Sequence, residues 1–72
     1  MKGNEFLKKL KSLAERKGWQ FEWRPDEGKG SHGALYLNGN KTIVRNLKAE
    51  LKTGTFHAML KQLGIKVNDL HK

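Results

Sequence analysis

Seventy-two residues without a cysteine allow one small domain and exclude disulfide staples, thiolate metal sites and a cysteine nucleophile. The three histidines fall at no metal-ligand spacing, no apolar run reaches the roughly 18–20 residues of a membrane span, and no signal-peptide core is present; a cytoplasmic protein with no metal, no other cofactor and no membrane contact is expected. Fifteen Lys and Arg against seven Asp and Glu leave a net charge of +8, a field that draws polyanions, nucleic acid above all, and to which an acidic protein would also answer.

From Asn4 to Lys17, the residues Phe6, Leu7, Leu10, Leu13 and Ala14 fall on one stripe at helical period, with Lys8, Lys9 and Lys11 elsewhere on the wheel. Asn4 is placed to cap this helix, Glu5 suits its first turn, and Gly18 fits the left-handed stop. Trp19 to Arg24 then alternates aromatic and polar residues, the pattern of a half-buried strand. Its aromatics either pack under a helix or stack on bases. Pro25-Asp26-Glu27-Gly28 ends the strand. A second strand is read from His32 to Leu37 and a third from Lys41 to Arg45, joined by the hairpin signal Asn38-Gly39. On a regular strand His32, Ala34 and Tyr36 share one face, which would let His32 and Tyr36 line one site.

Asn46 to Lys52 connects to a second helix, with Leu47 and Leu51 as anchors. In that helix Phe56, Met59, Leu60 and Leu63 recur at i, i+3, i+4 and i+7; Thr53 or Thr55 caps it and Gly64 closes it. Val67 to Lys72 forms either a short extra turn or a loose tail. No repeat or linker divides the chain, so residues 1–72 are read as a single domain. The order helix, three strands, helix describes an α+β domain, α-β-β-β-α, with a three-stranded antiparallel sheet and both helices on one face. Double-stranded RNA-binding domains have this arrangement.

Chemistry concentrates in Gly28-Lys29-Gly30-Ser31-His32-Gly33. Glycines let a phosphate approach the main chain, and Lys29 adds a fixed positive charge. Histidine is the side chain whose unperturbed pKa lies nearest neutrality, so it can both take and give a proton. Phosphate attraction beside a proton carrier is the minimum equipment for cleaving RNA without a metal. Taken alone, a histidine after a Gly-Ser turn is also what an ordinary surface residue looks like, and Lys29 reads equally as a solvated lysine. His57 and His71 read as surface residues. Lys41, Arg45, Lys48 and Lys52 form a basic run beside the third strand, a salt-dependent footprint for RNA.

Three pieces of the chain together resemble a known family: Gly30-Ser31-His32 opening the second strand, Gly54-Thr55, and Met59-Leu60-Lys61-Gln62-Leu63-Gly64-Ile65, behind an opening helix that ends in Gly18-Trp19. The family is that of the HicA toxins, small ribonuclease components of bacterial and archaeal toxin–antitoxin pairs. The resemblance covers about residues 4–65 and leaves 66–72 as a C-terminal tail. It implies a double-stranded-RNA-binding-domain-like fold, metal-independent cleavage of mRNA that inhibits translation, one catalytic histidine mapping onto His32, and inhibition by a HicB-type antitoxin. There are two departures from the pattern. Leu35 stands where members commonly carry an aromatic, with Tyr36 next to it, and Arg45-Asn46-Leu47 stands where many carry prolines and histidines.

The reaction expected on this reading begins when His32 takes the proton of a ribose 2′-OH. That oxygen attacks the neighbouring phosphorus and expels the 5′-oxygen, leaving a 2′,3′-cyclic phosphate and a 5′-hydroxyl. Lys29 and the amides around Gly30 and Ser31 would stabilise the phosphoryl charge, with Tyr36, Lys41 and Arg45 as further substrate contacts. Ser31 orients and does not attack, since no Asp-His relay accompanies it. The competing readings are a non-catalytic RNA-binding module of the same fold and a domain whose basic face docks an acidic protein.

Overall fold

The computed structural model describes residues 1–27, 32–45 and 47–70. The first apolar stripe folds as α1 (Gly3–Lys17), which buries Phe6, Leu10, Leu13 and Ala14. Gly18 ends it at φ 69°, in the left-handed region that glycine enters without a Cβ penalty. The helix start differs from the expectation. It begins one residue before Asn4, and the N-cap position is Lys2, with no side-chain cap. The leading amides are satisfied by a distant part of the chain instead: Gly3 N–H donates to the Ala49 carbonyl (3.4 Å) and Asn4 N–H to the Leu47 carbonyl (3.0 Å). Leu51 N–H donates to the Met1 carbonyl (2.9 Å), and Lys2 bridges Glu50. A Cβ at Gly3 would lie 2.9 Å from the Leu47 Cα, so glycine is what lets this connector come so close.

The sheet consists of β1 (Phe21–Arg24), β2 (Gly33–Leu37) and β3 (Asn40–Val44), antiparallel in that order. Asn38 (φ 51°) and Gly39 (φ 83°) both adopt positive φ, as the two-residue turn demands, and Leu37 pairs with Asn40 to close it. β2 starts one residue later than expected and β3 is shifted back by one: His32 immediately precedes β2, and Arg45 immediately follows β3. Trp19 and Gln20 fall outside β1, although the Gln20 carbonyl still accepts from Asn38 N–H at 2.9 Å.

The second apolar stripe folds as α2 (Thr53–Leu63), closed by Gly64 at φ 72°. Neither Thr53 nor Thr55 caps it; both lie inside the helix, and Lys52 at the N-cap makes no side-chain bond. Residues Val67–Leu70 form a single turn, α3, whose Leu70 is buried. One core joins Phe6, Leu10 and Leu13 of α1 with Met59, Leu60 and Leu63 of α2 against Leu35, Leu37 and Val44 of the sheet. Those three sheet residues share a face in the observed register, so both helices cover the same side. Trp19, Phe21 and Trp23 are half-buried against that core, which decides between packing and base stacking in favour of packing.

Trp23 has a second task. Its ring lies over Gly33, where an added Cβ would sit 2.4 Å from the indole and 3.0 Å from the Pro25 Cα. Gly33→Ala is therefore expected to lower stability by about 1–3 kcal/mol through overpacking, read as a shift in the urea midpoint followed by tryptophan fluorescence. In a Trp23→Leu background most of that penalty should disappear.

Candidate functional site

The last pair of the β2–β3 ladder is Gly33 with Val44. The residues one step beyond it, His32 and Arg45, thus come together at the same end of the sheet, and His32 is half-buried there. α2 packs along β3 and is tied to it by two polar bonds. Asn40 Nδ2 donates to the Leu63 carbonyl (2.9 Å), and the Thr42 hydroxyl donates to Gln62 Oε1. Between the end of β3 and α2 opens a concavity of about 480 Å³, lined by His32, Ile43, Arg45, Thr55, Ala58, Met59 and Gln62. The four helical residues recur at i, i+3, i+4 and i+7, so they form one stripe facing the strand.

This cleft combines an imidazole with a guanidinium that meets no carboxylate among the described residues. A base that can accept a proton beside a permanent cation is equipped to activate a hydroxyl next to an anionic group. Among the described residues no cluster of His, Cys, Asp and Glu is placed to hold a metal ion, and no helix is long and apolar enough to cross a membrane.

Tyr36 lies on the face of β2 opposite Leu35 and Leu37, whereas His32 precedes the strand, and the two do not share the cleft. Four residues along a strand span about 13 Å, and Tyr36 lines a separate hollow with Gln20, Phe21, Glu22, Arg24, Asn38 and Gly39. Its hydroxyl donates to Glu27 Oε2 (2.7 Å), while Arg24 donates to Glu27 Oε1 (2.7 Å) and to Glu22. The Arg24 guanidinium lies 5.4 Å and the Lys41 ammonium 5.7 Å from the Tyr36 ring centre. Of the expected contacts, then, Arg45 joins His32, whereas Tyr36 and Lys41 join each other on the outer sheet face. Gly28, Lys29, Gly30, Ser31, Asn46, His71 and Lys72 lie outside the described residues. Lys48 and Lys52 are exposed on the connector. His57 is exposed on α2 against Phe56, beside a different hollow formed with Leu51 and Val67.

The Tyr36 hydroxyl, and after it Arg24, holds the Glu27 carboxyl below its ordinary value of 4.5. Glu22, and after it Glu27, pushes the Arg24 guanidinium up. A carboxyl lowered by folding contributes stability above its ordinary pKa, and that contribution is lost as pH falls through the lowered value. Tyr36→Phe is accordingly expected to reduce the melting temperature at neutral pH. The gap to wild type should close in acid well below pH 4.5, in a series of thermal melts across that range.

Thr55, Met59 and Gln62 were legible in the sequence only as parts of a helix and a motif. The signal that finds them is the helical stripe on the side of α2 next to the apolar one, which becomes a cleft wall once β3 is known to lie beside it. A family model described as the HicA toxin of bacterial toxin–antitoxin systems matches residues 7–65 of the chain. The chain matches no curated protein and no solved structure.

Proposed function

This chain belongs to the HicA toxin family, and on that premise we propose that it cleaves mRNA without a metal, with His32 as the proton carrier, and so inhibits translation in the cytoplasm. The observation that carries the proposal is the meeting of half-buried His32 and Arg45 in one cleft of about 480 Å³. His32 takes the proton of a ribose 2′-OH; the oxygen attacks the adjacent phosphorus, the bond to the 5′-oxygen breaks, and that oxygen takes up a proton from water. The products are a 2′,3′-cyclic phosphate and a 5′-hydroxyl. Arg45 stabilises the negative charge on the phosphoryl oxygens, and Lys29 and the amides of Gly30 and Ser31, the residues just before His32 in the sequence, are assigned the same task. Ser31 serves as an orienting group.

The α-β-β-β-α order with both helices on one sheet face supports the double-stranded-RNA-binding-domain-like reading of the frame. A net charge of +8 supports an RNA substrate. The partner proposed is a HicB-type antitoxin that covers the His32 cleft; by binding only the folded toxin it would also stabilise so small a domain.

The test is incubation of labelled mRNA in EDTA with wild type and with His32→Ala, followed by end-group analysis. Cleavage by wild type alone, with cyclic phosphate ends, is the expected result. If both proteins bind RNA and neither cuts it, the domain is an RNA-binding module. Equal cutting by both would remove His32 from the chemistry.

A further inference from the structure

The geometry points to Gln62 as a substrate-binding residue: its side-chain N–H groups donate to a phosphate oxygen of the RNA strand held in the His32 cleft, and Thr42 is the residue that positions it. This inference rests on the reading of that cleft as the RNA-cleaving site.

Thr42 lies on the helix-facing side of β3 and is 3 % exposed. Its hydroxyl reaches Gln62 Oε1 on α2. A buried hydroxyl is both donor and acceptor, and leaving its proton without an acceptor is costly. Thr42 has no other acceptor among the described residues, so the amide oxygen turned toward it is the arrangement that satisfies both groups. A rotation by 180° would set the amide nitrogen against Thr42 and strand the hydroxyl proton. The consequence falls on the other end of the amide. With Oε1 occupied, Gln62 offers the cleft two N–H donors, and these have no protein partner among the described residues.

The rest of the lining gives those donors a matching ligand. Arg45 and His32, from the sheet, line the same cleft; Ala58 and Met59 line it beside Gln62 on α2, with the Thr55 hydroxyl two turns from Gln62 along the helix, about 10 Å along its axis. No carboxylate lines this wall among the described residues. A surface that offers a cation and fixed donors around an apolar floor selects an anionic group attached to a less polar body, and a phosphodiester on its ribose has that form. Gripped by Arg45 on one side and Gln62 on the other, the strand is held in register with the imidazole.

The test measures affinity for a labelled mRNA fragment in the His32→Ala background, where RNA is not consumed, with added Gln62→Ala, Gln62→Glu, Thr42→Val, Thr42→Ser and Arg45→Ala. Gln62→Ala is expected to weaken binding about tenfold with an unchanged slope of affinity against salt, because the residue is neutral. Arg45→Ala is expected to reduce that slope by about one. Gln62→Glu keeps the acceptor for Thr42 and so preserves the fold, but it replaces the donors by an anion and should weaken binding further. Thr42→Val should weaken binding severalfold, and Thr42→Ser should restore it, a rescue that packing alone would not produce. Melting curves accompany each variant. With His32 restored, Gln62→Ala should raise KM more than it lowers kcat. Affinities of Gln62→Ala and Gln62→Glu within twofold of their parent would overturn the inference, as would a wild type that binds no RNA. A wild type that binds but never cuts defeats the proposed reaction alone, and the affinity comparison still decides Gln62.

Discussion

His32→Ala is expected to slow RNA cleavage by about 10²–10⁴-fold, measured under single turnover, while RNA affinity and melting temperature stay close to wild type. The magnitude is that of removing a positioned general base, about 2.7–5.4 kcal/mol of barrier. On the proposed reaction the remaining catalysis would come from Arg45 and from the positioning of the strand, which the substitution leaves in place. Stability should change little because the ring is only half-buried at the rim of the cleft, so truncation encloses no cavity. Affinity should persist because the cations that face phosphate are elsewhere. A loss of only two- or threefold would leave no room for proton transfer by His32.

Phe6→Ala is expected to leave a large fraction of the chain, about half, unfolded at 25 °C. Phe6 is fully buried and meets the edge of Phe56 with ring centres 5.6 Å apart, joining α1 to α2 at the centre of the core. Deleting a buried Phe ring costs about 3–5 kcal/mol, and a core of this size rarely supplies more than about 3–5 kcal/mol in total. The two figures cancel. Far-ultraviolet circular dichroism with a urea titration reads the outcome directly. Phe6→Leu, which conserves most of the volume, should stay folded with a lowered midpoint, and Phe56→Ala should cost less because Phe56 is only half-buried.

Which parts of this structure could be read in advance follows from how far away the deciding atoms are. Both helix ends at Gly18 and Gly64 were legible because a left-handed stop is a property of one residue. Both helix starts were misread because local Asn and Thr side chains were expected where the real partners of α1 are the Leu47 and Ala49 carbonyls. The Asn38-Gly39 turn sets the register of the hairpin, and with it the meeting of His32 and Arg45. The alternation of β2 put Tyr36 on the correct face but not in the correct place. Its cross-strand neighbours Glu22 and Lys41, together with Glu27 and Arg24, hold it to the far part of the sheet. The Gln62 amide was illegible because its orientation depends on a buried hydroxyl from another element, a fact no stretch of sequence contains.

That the cleft is walled on one side by α2 also orders events in time. Translation adds residues at about 5–20 per second, so His32 and Arg45 are joined to the chain before Gln62 and the rest of the opposing wall. Met1 and Glu50, 49 positions apart, are joined by an ion pair, a contact that a chain without the connector cannot make. A chain that stops short of α2 therefore carries the histidine without the opposing wall of the cleft. On the proposed function, a chain that lacks α2 would hold its proton carrier in a cleft with one wall missing, so activity waits on the helix that follows the sheet.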